Sequence, residues 1–297
     1  MTIRAATRTD AAAVAALVAA DEESFTGHPS RLGANDVLGW WQRTDLENDT
    51  WLFEEEQRLV AAGSAELYGT VGGFFGVVAP GAKGRGLGST IVDLAEARLA
   101  EKGPTRLHAR ALALDSAAAS LFERRGYHEV RRFWEMAIEL DGPPPEPSLP
   151  HGLTCETFRE DDARPFHDAL DEAFHDHWEH HSIPFEEWWE QKRAAPDYDP
   201  TIWFLVRDGD EVAAVVRNDP DRSGGGLVGA LGVRRPWRGK GLGRALLLRT
   251  FGEFHRRGIQ RVALGVDAQN PTGATKLYES VGMQVELEAI VFEKRPS

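Results

Sequence analysis

The sequence predicts an α/β chain made of two tandem domains of one design, and three observations carry that prediction. Apolar, β-branched runs alternate with helical patterns along the 297 residues, which is how strands interleaved with helices read. A basic, glycine-rich turn follows such a run twice, as Lys83-Gly84-Arg85-Gly86-Leu87-Gly88 and as Arg238-Gly239-Lys240-Gly241-Leu242-Gly243. The surroundings repeat as well. Trp51-Leu52-Phe53 with Val60-Ala61-Ala62 returns 152 positions later as Trp203-Phe204-Leu205 with Val212-Ala213-Ala214, the turns are 155 apart, and Gly126 matches Gly282 at 156. A period that long marks a duplicated domain, since solenoid repeats run to about 20–50 residues.

The first half, residues 1–140, opens with Thr2-Ile3-Arg4 as a short strand and an Ala-rich helix that includes Asp10 and Asp21. Trp40-Trp41 sits on a short helix and reads as core or as a site wall. Strands follow, the last of them ending at Val77-Val78 before the first glycine turn. Ile91, Leu94, Ala95 and Leu99 then give a helical face, and Val130 to Leu140 reads as strand. Asp141 to Pro150 carries five prolines, which cannot donate to a helix or a ladder, so it reads as a stiff linker.

The second half, residues 151–297, repeats the order. Its first strand holds Cys155, the single cysteine, which allows no internal disulfide and is expected to be buried and inert. A His-, Glu- and Trp-rich stretch follows, from Phe174-His175-Asp176-His177 through His181 to Glu187-Trp188-Trp189. The run Leu227 to Val233 precedes the second turn, and Leu242, Ala245, Leu246, Phe251 and Phe254 line the helix after it. Val262 to Val266 is the next strand, then Asn270, Leu277-Tyr278-Glu279 on a helix, Gly282, and strand residues Gln284 to Glu293. Asn270 can cap that last helix, with Pro271 in its first turn.

A strand, a basic glycine turn and a helix N-terminus together make a phosphate site. Unpaired N–H groups and the positive end of the helix dipole face the anion, and glycine admits it closely. Spacing separates the kinds of phosphate loop. Leu242-Gly243-Arg244 lacks the Lys-Ser or Lys-Thr of a nucleotide loop, and the third glycine of a dinucleotide fingerprint would fall on Arg244 or Ser89. The pattern that fits is R-x-x-G-x-G, Arg238-x-x-Gly241-x-Gly243.

On these residues the chain resembles the GNAT superfamily of acyl-CoA-dependent N-acyltransferases, twice over. The resemblance implies two tandem domains, each a mixed, mostly antiparallel sheet flanked by helices, with acetyl-CoA as co-substrate. It implies that Arg238, Gly239, Lys240, Gly241, Leu242, Gly243 and Arg244 hold the pyrophosphate. It further implies that backbone groups of Leu231 and Val233 lie along the thioester arm, and that Asn270 borders the cofactor. Tyr278 is the implied general acid, since a phenol with pKa near 10 stays protonated at neutral pH. Val78, Lys83, Gly84, Arg85, Gly86, Leu87, Gly88 and Ser89 form a possible second cofactor site.

The halves are unequal. The first has Lys83 where the pattern has Arg, Asp115 for the Asn, and Phe122 in place of Tyr278. Phe lacks the hydroxyl, so catalysis is expected in the second half and a degenerate role in the first. The general base is open. Many relatives carry a Glu on the strand before the loop, whereas neither Leu227 to Val233 nor Val71 to Val78 contains a carboxylate. Asp267, His177 and Glu187 are the candidates for the base or the acceptor site. His177 and His181 are a helical turn apart, but no further ligand pattern supports a metal, so none is expected.

Composition narrows the partners. A formal charge of −13 argues against nucleic acid and anionic membranes. No apolar run approaches the ~20 residues of a membrane span. The N-terminus lacks the pattern of a signal peptide, so a cytoplasmic location is expected. The expected activity is acetyl transfer from acetyl-CoA to a primary amine of a small molecule by direct attack. Two alternatives stand beside it. The layout resembles the tandem members of the family that acetylate a cysteinyl-sugar amine, and a non-catalytic acyl-CoA-binding regulator would also fit a chain without the strand carboxylate.

Overall fold

A computed structural model describes every residue except Pro196, Pro271 and Ser297. In chain order its elements are β1 (Thr2–Arg4), α1 (Ala11–Thr26), α2 (Ala34–Trp40), β2 (Thr50–Glu55), β3 (Arg58–Tyr68), β4 (Val71–Val78), α3 (Leu87–Lys102), β5 (Arg106–Leu112), α4 (Ser116–Arg124) and β6 (His128–Glu139). The second repeat supplies β7 (Leu153–Thr157), α5 (Ala163–Phe174), α6 (Phe185–Arg193), β8 (Phe204–Asp208), β9 (Glu211–Arg222), β10 (Gly225–Val233), α7 (Leu242–Arg256), β11 (Arg261–Asp267), α8 (Ala274–Ser280) and β12 (Gln284–Lys294). The order read from the sequence is the order found.

The chain folds as two compact units: Met1–Phe133 with Leu287–Ser297, and Trp134–Glu286. These differ from the contiguous stretches 1–140 and 151–297 at two places: residues 134–140, with the end of β6, belong to the second unit, and the final strand belongs to the first. β12 runs antiparallel to β5, with Ala289 opposite Leu112 and Lys294 opposite Leu107, so the end of the chain completes the first unit. Ile290 and Phe292 are buried there with Phe74, Phe122 and Tyr127. The proline-rich segment 141–150 has no helix or strand, as its composition requires. It belongs to the second unit, where Leu149 packs on the core and Pro144 lies over Gly252 of α7.

Within the first unit the strand order is β1-β2-β3-β4-β5-β12, and within the second β7-β8-β9-β10-β11-β6. β4–β5 and β10–β11 pair in parallel and the other described pairings are antiparallel, so the sheet within each unit is mixed and mostly antiparallel. Period-2 alternation places helices on both faces. Leu52, Ala62 and Val77 pack with α1, whereas their neighbours Phe53 and Ala61 pack with Leu87 and Ile91 of α3. In the second unit Gly232 lies against Ala173 of α5, and Gly226 against Phe254 of α7. Among the described residues no helix is long and apolar enough to cross a membrane.

Candidate active site

The site begins where two parallel strands part. β10 pairs with β11 only at Gly226–Val262 and Leu227–Ala263, while its pairing with β9 continues to Val233. The Arg234 N–H donates to Ala213 O at 3.0 Å, which fixes the alternation along this stretch. Gly232 therefore bonds to β9, and Leu231 and Val233 turn their N–H and C=O groups the other way, into the gap. β4 and β5 repeat the arrangement: they pair from Val71 to Phe74 and then separate, so Gly76 and Val78 face the gap of the first unit.

The glycine turn floors the gap. Gly239 and Gly241 take φ of +76° and +81°, a left-handed backbone that side chains with a Cβ rarely adopt, and no atom lies within 4 Å of where a Cβ would stand. Gly241 leads straight into α7, whose first N–H groups have no partner within the helix. Gly84 and Gly86 match them with φ of +77° and +84° ahead of α3. Gly243 admits a close approach instead: a Cβ there would meet Leu277 at 2.9 Å, so its absence lets α8 lie on α7. Gly88 and Leu121 stand in the same relation at 3.5 Å.

These elements enclose a cavity of about 300 Å³ in the second unit. It is lined by Leu231, Val233, Arg238, Gly239, Gly241, Leu242, Gly243 and Arg244 from the expected cofactor set, and by His177 and Tyr278. Ala173, Gly232, Trp237, Thr272, Gly273, Ala274 and Leu277 complete it. Sequence reasoning missed these last residues. Only the helical spacing of Ala274 to Leu277 and to Tyr278, three and four positions on, hinted that Ala274 shares a face with each. Tyr278 is 8% exposed, and burial pushes its phenol up to about 12, so it stays protonated across the neutral range.

Some expected cofactor residues have partners within the protein or lie off the lining. The Arg238 guanidinium is bound within the protein, donating to Val233 O at 3.1 Å and Ala173 O at 3.1 Å and pairing with Asp176 at 3.3 Å. Lys240 is exposed and is not part of the lining. Asn270 is not part of the lining: its Oδ1 accepts from Thr272 N at 2.8 Å and from the Thr272 hydroxyl. Nor does it cap α8, which starts at Ala274 after Gly273 at φ +77°, because Asn270 is spent on the preceding turn. The expected place of Pro271 lies outside the described residues. Asp115, by contrast, caps α4 by accepting from Ala118 N at 2.9 Å.

The His-, Glu- and Trp-rich stretch does not gather at the cavity as a whole. Trp188 is buried, with its ring 6.3 Å from those of Phe166 and Trp203, so it is core rather than pocket. Glu187 is exposed on α6 and accepts from Gln191 at 3.0 Å. α5 ends at Phe174, so His177 and His181 do not share a helix face. No group of three metal-ligating side chains occurs among the described residues. Asp267 closes β11, 9% exposed, and accepts from Gln269 N at 2.9 Å. Cys155 is half-buried on β7, where burial pushes its thiol up.

In the first unit the basic turn residues meet acids. Lys83 pairs with Asp21 at 2.6 Å over the Phe25 ring, and Arg85 pairs with Glu55 at 2.5 Å. Phe122 packs against Phe74, Tyr127 and Phe292. Val78 and Leu87 pack together, and Ser89 O accepts from Arg125 at 3.4 Å.

A gap between parting strands, floored by glycine amides and a helix start and flanked by a buried tyrosine, defines an acyl-CoA-dependent acyltransferase fold. Residues 14–127 and 161–283 each match the acetyltransferase (GNAT) family. The mycothiol acetyltransferase of Thermobispora bispora is 34% identical over 215 residues, covering 69% of this chain and 70% of that protein. That of Acidothermus cellulolyticus is 33% identical over 273 residues, covering 82% and 78%. A GCN5-related N-acetyltransferase from Sphaerobacter thermophilus superposes with a TM-score of 0.85 at 33% identity, covering 100% of this chain and 96% of that one. A tandem GNAT protein from the clavulanic acid biosynthesis pathway shares the fold, with a TM-score of 0.76 at 17% identity over 100% and 99% of the two chains. The chain belongs to the GNAT family, as a tandem acetyltransferase.

Proposed function

We propose that the chain transfers the acetyl group of acetyl-CoA to the primary amine of a small molecule, in the cleft of the second unit, and that this amine belongs to a cysteinyl sugar. The observation that carries the transfer reading is one cavity lined together by the glycine turn, Leu231, Val233 and Tyr278. The acceptor rests on relatives named mycothiol acetyltransferase, which match most of the chain at about a third identity.

The chemistry follows from the residues. The turn and the start of α7 offer amides and a positive dipole to a pyrophosphate, and the open space at Gly239 and Gly241 fits that role. Leu231 or Val233 N–H can polarise the thioester carbonyl. The amine nitrogen bonds to the carbonyl carbon, the carbon–sulfur bond breaks with its electron pair going to sulfur, and the Tyr278 hydroxyl delivers a proton there. The ammonium gives one proton to a base before attack, the nitrogen loses a second to solvent as the amide forms, and solvent restores the phenol.

Incubating the protein with acetyl-CoA and the cysteine amide of an amino sugar tests this, with thiol release and product mass as readouts. Transfer to that amine, in preference to free lysine or a peptide N-terminus, supports the reading. Transfer to another amine alone would keep the chemistry and overturn the acceptor. Tight binding without transfer to any amine would favour a non-catalytic acyl-CoA-binding protein.

A further inference from the structure

We propose that His177 takes the proton from the incoming ammonium. The inference rests on the transfer reading above and supplies the group which that reading leaves open. β10 has no carboxylate between Leu227 and Val233. Among the described residues lining the cavity, the polar side chains are those of His177, Trp237, Arg238, Arg244, Thr272 and Tyr278. Only the imidazole can take up a proton near neutral pH: the guanidinium groups are already charged, and the others are far too weakly basic.

His177 is held in place. Its backbone N–H donates to Phe174 O at 2.8 Å, and its ring lies 4.2 Å from that of Phe174, just beyond the end of α5. The charged groups that act on it come from three places: His180 and Asp176 on its own segment, Arg238 on the glycine turn, and Asp267 at the end of β11. Burial, His180 and Arg238 disfavour the imidazolium, whereas Asp267 and Asp176 favour it, and the net direction is below the ordinary value of 6.5. The imidazole is therefore neutral and ready to accept at pH 7. Asp176 pairs with Arg235 and Arg238, and Asp267 is a buried carboxylate at the end of β11 that favours the charged ring.

The test is the pH dependence of kcat/KM with acetyl-CoA and the cysteine amide of an amino sugar, measured on the full chain. The parent should lose activity as pH falls through a midpoint below 6.5. In His177→Gln only the neutral amine can react. Activity at pH 7 should therefore fall by about 10²-fold or more, and recover toward the parent as pH passes the pKa of the amine. Asp267→Asn should move the acid midpoint further down, with acetyl-CoA affinity unchanged. An unchanged profile in His177→Gln, or loss of acetyl-CoA affinity equal to the loss of rate, would overturn the proposal. If the parent itself transfers to no amine, the failure belongs to the transfer reading. Should Asp267→Asn not fold, His177→Gln decides alone.

Discussion

Arg238 reaches back to Asp176 at 3.3 Å, and 155 residues earlier Lys83 reaches back to Asp21 at 2.6 Å. In each unit the first basic residue of the glycine turn is tied to the segment at the end of the first long helix. Arg238 therefore braces the cleft from within, adding bonds to Val233 O and Ala173 O that a lysine at this position would give up.

Arg238→Lys separates bracing from ligand binding. Both partners are about a third exposed, so the ion pair contributes little by itself. Loss of the carbonyl bonds should cost about 1–3 kcal/mol, read from the denaturant midpoint. Unchanged stability with weakened acetyl-CoA binding would instead make Arg238 a direct ligand.

Tyr278→Phe should lower kcat by about 10²-fold or more and leave the Kd of acetyl-CoA nearly unchanged, because the hydroxyl acts on the departing sulfur. The phenol is raised to about 12, so it stays protonated as pH rises and its loss should not limit the parent below pH ~11. Phe122→Tyr should not restore turnover to the variant.

Gly243→Ala and Gly88→Ala form a matched pair. The first puts a methyl 2.9 Å from Leu277 and presses α8, which carries Tyr278, so kcat should fall more than affinity. The second meets Leu121 at an ordinary 3.5 Å and should stabilise by about 0.5–1 kcal/mol through helix propensity. Thermal melts and initial rates check both.

Phe292→Ala should destabilise the first unit by about 3–5 kcal/mol, although Phe292 lies in the second repeat of the sequence. Its ring is 2% exposed and packs on Phe122. Hydrogen exchange should show protection lost along β5. Loss confined to α5 and β9 would contradict the strand assignment.

The fold was legible because its signals are local. Glycines at positive φ, apolar alternation and the 155-residue offset all survive in one dimension. The cleft was legible where backbone does the work, at Gly239, Gly241, Leu231 and Val233. It was less so where side chains choose partners. Arg238 chose two carbonyls, Asn270 its own turn, and Trp188 the core, because burial and geometry decide such contacts after the chain has folded. The placement of β12 with the first unit leaves no mark in its sequence, since a strand reads alike whichever sheet edge receives it.

The most direct test is a calorimetric titration of acetyl-CoA into the parent, Gly241→Glu and Gly86→Glu. Both substitutions put a carboxylate at a left-handed turn position, at φ +81° and +84°. Binding coupled to turnover should vanish in Gly241→Glu and persist in Gly86→Glu. Persistence in Gly241→Glu with loss in Gly86→Glu would move the active site to the first unit.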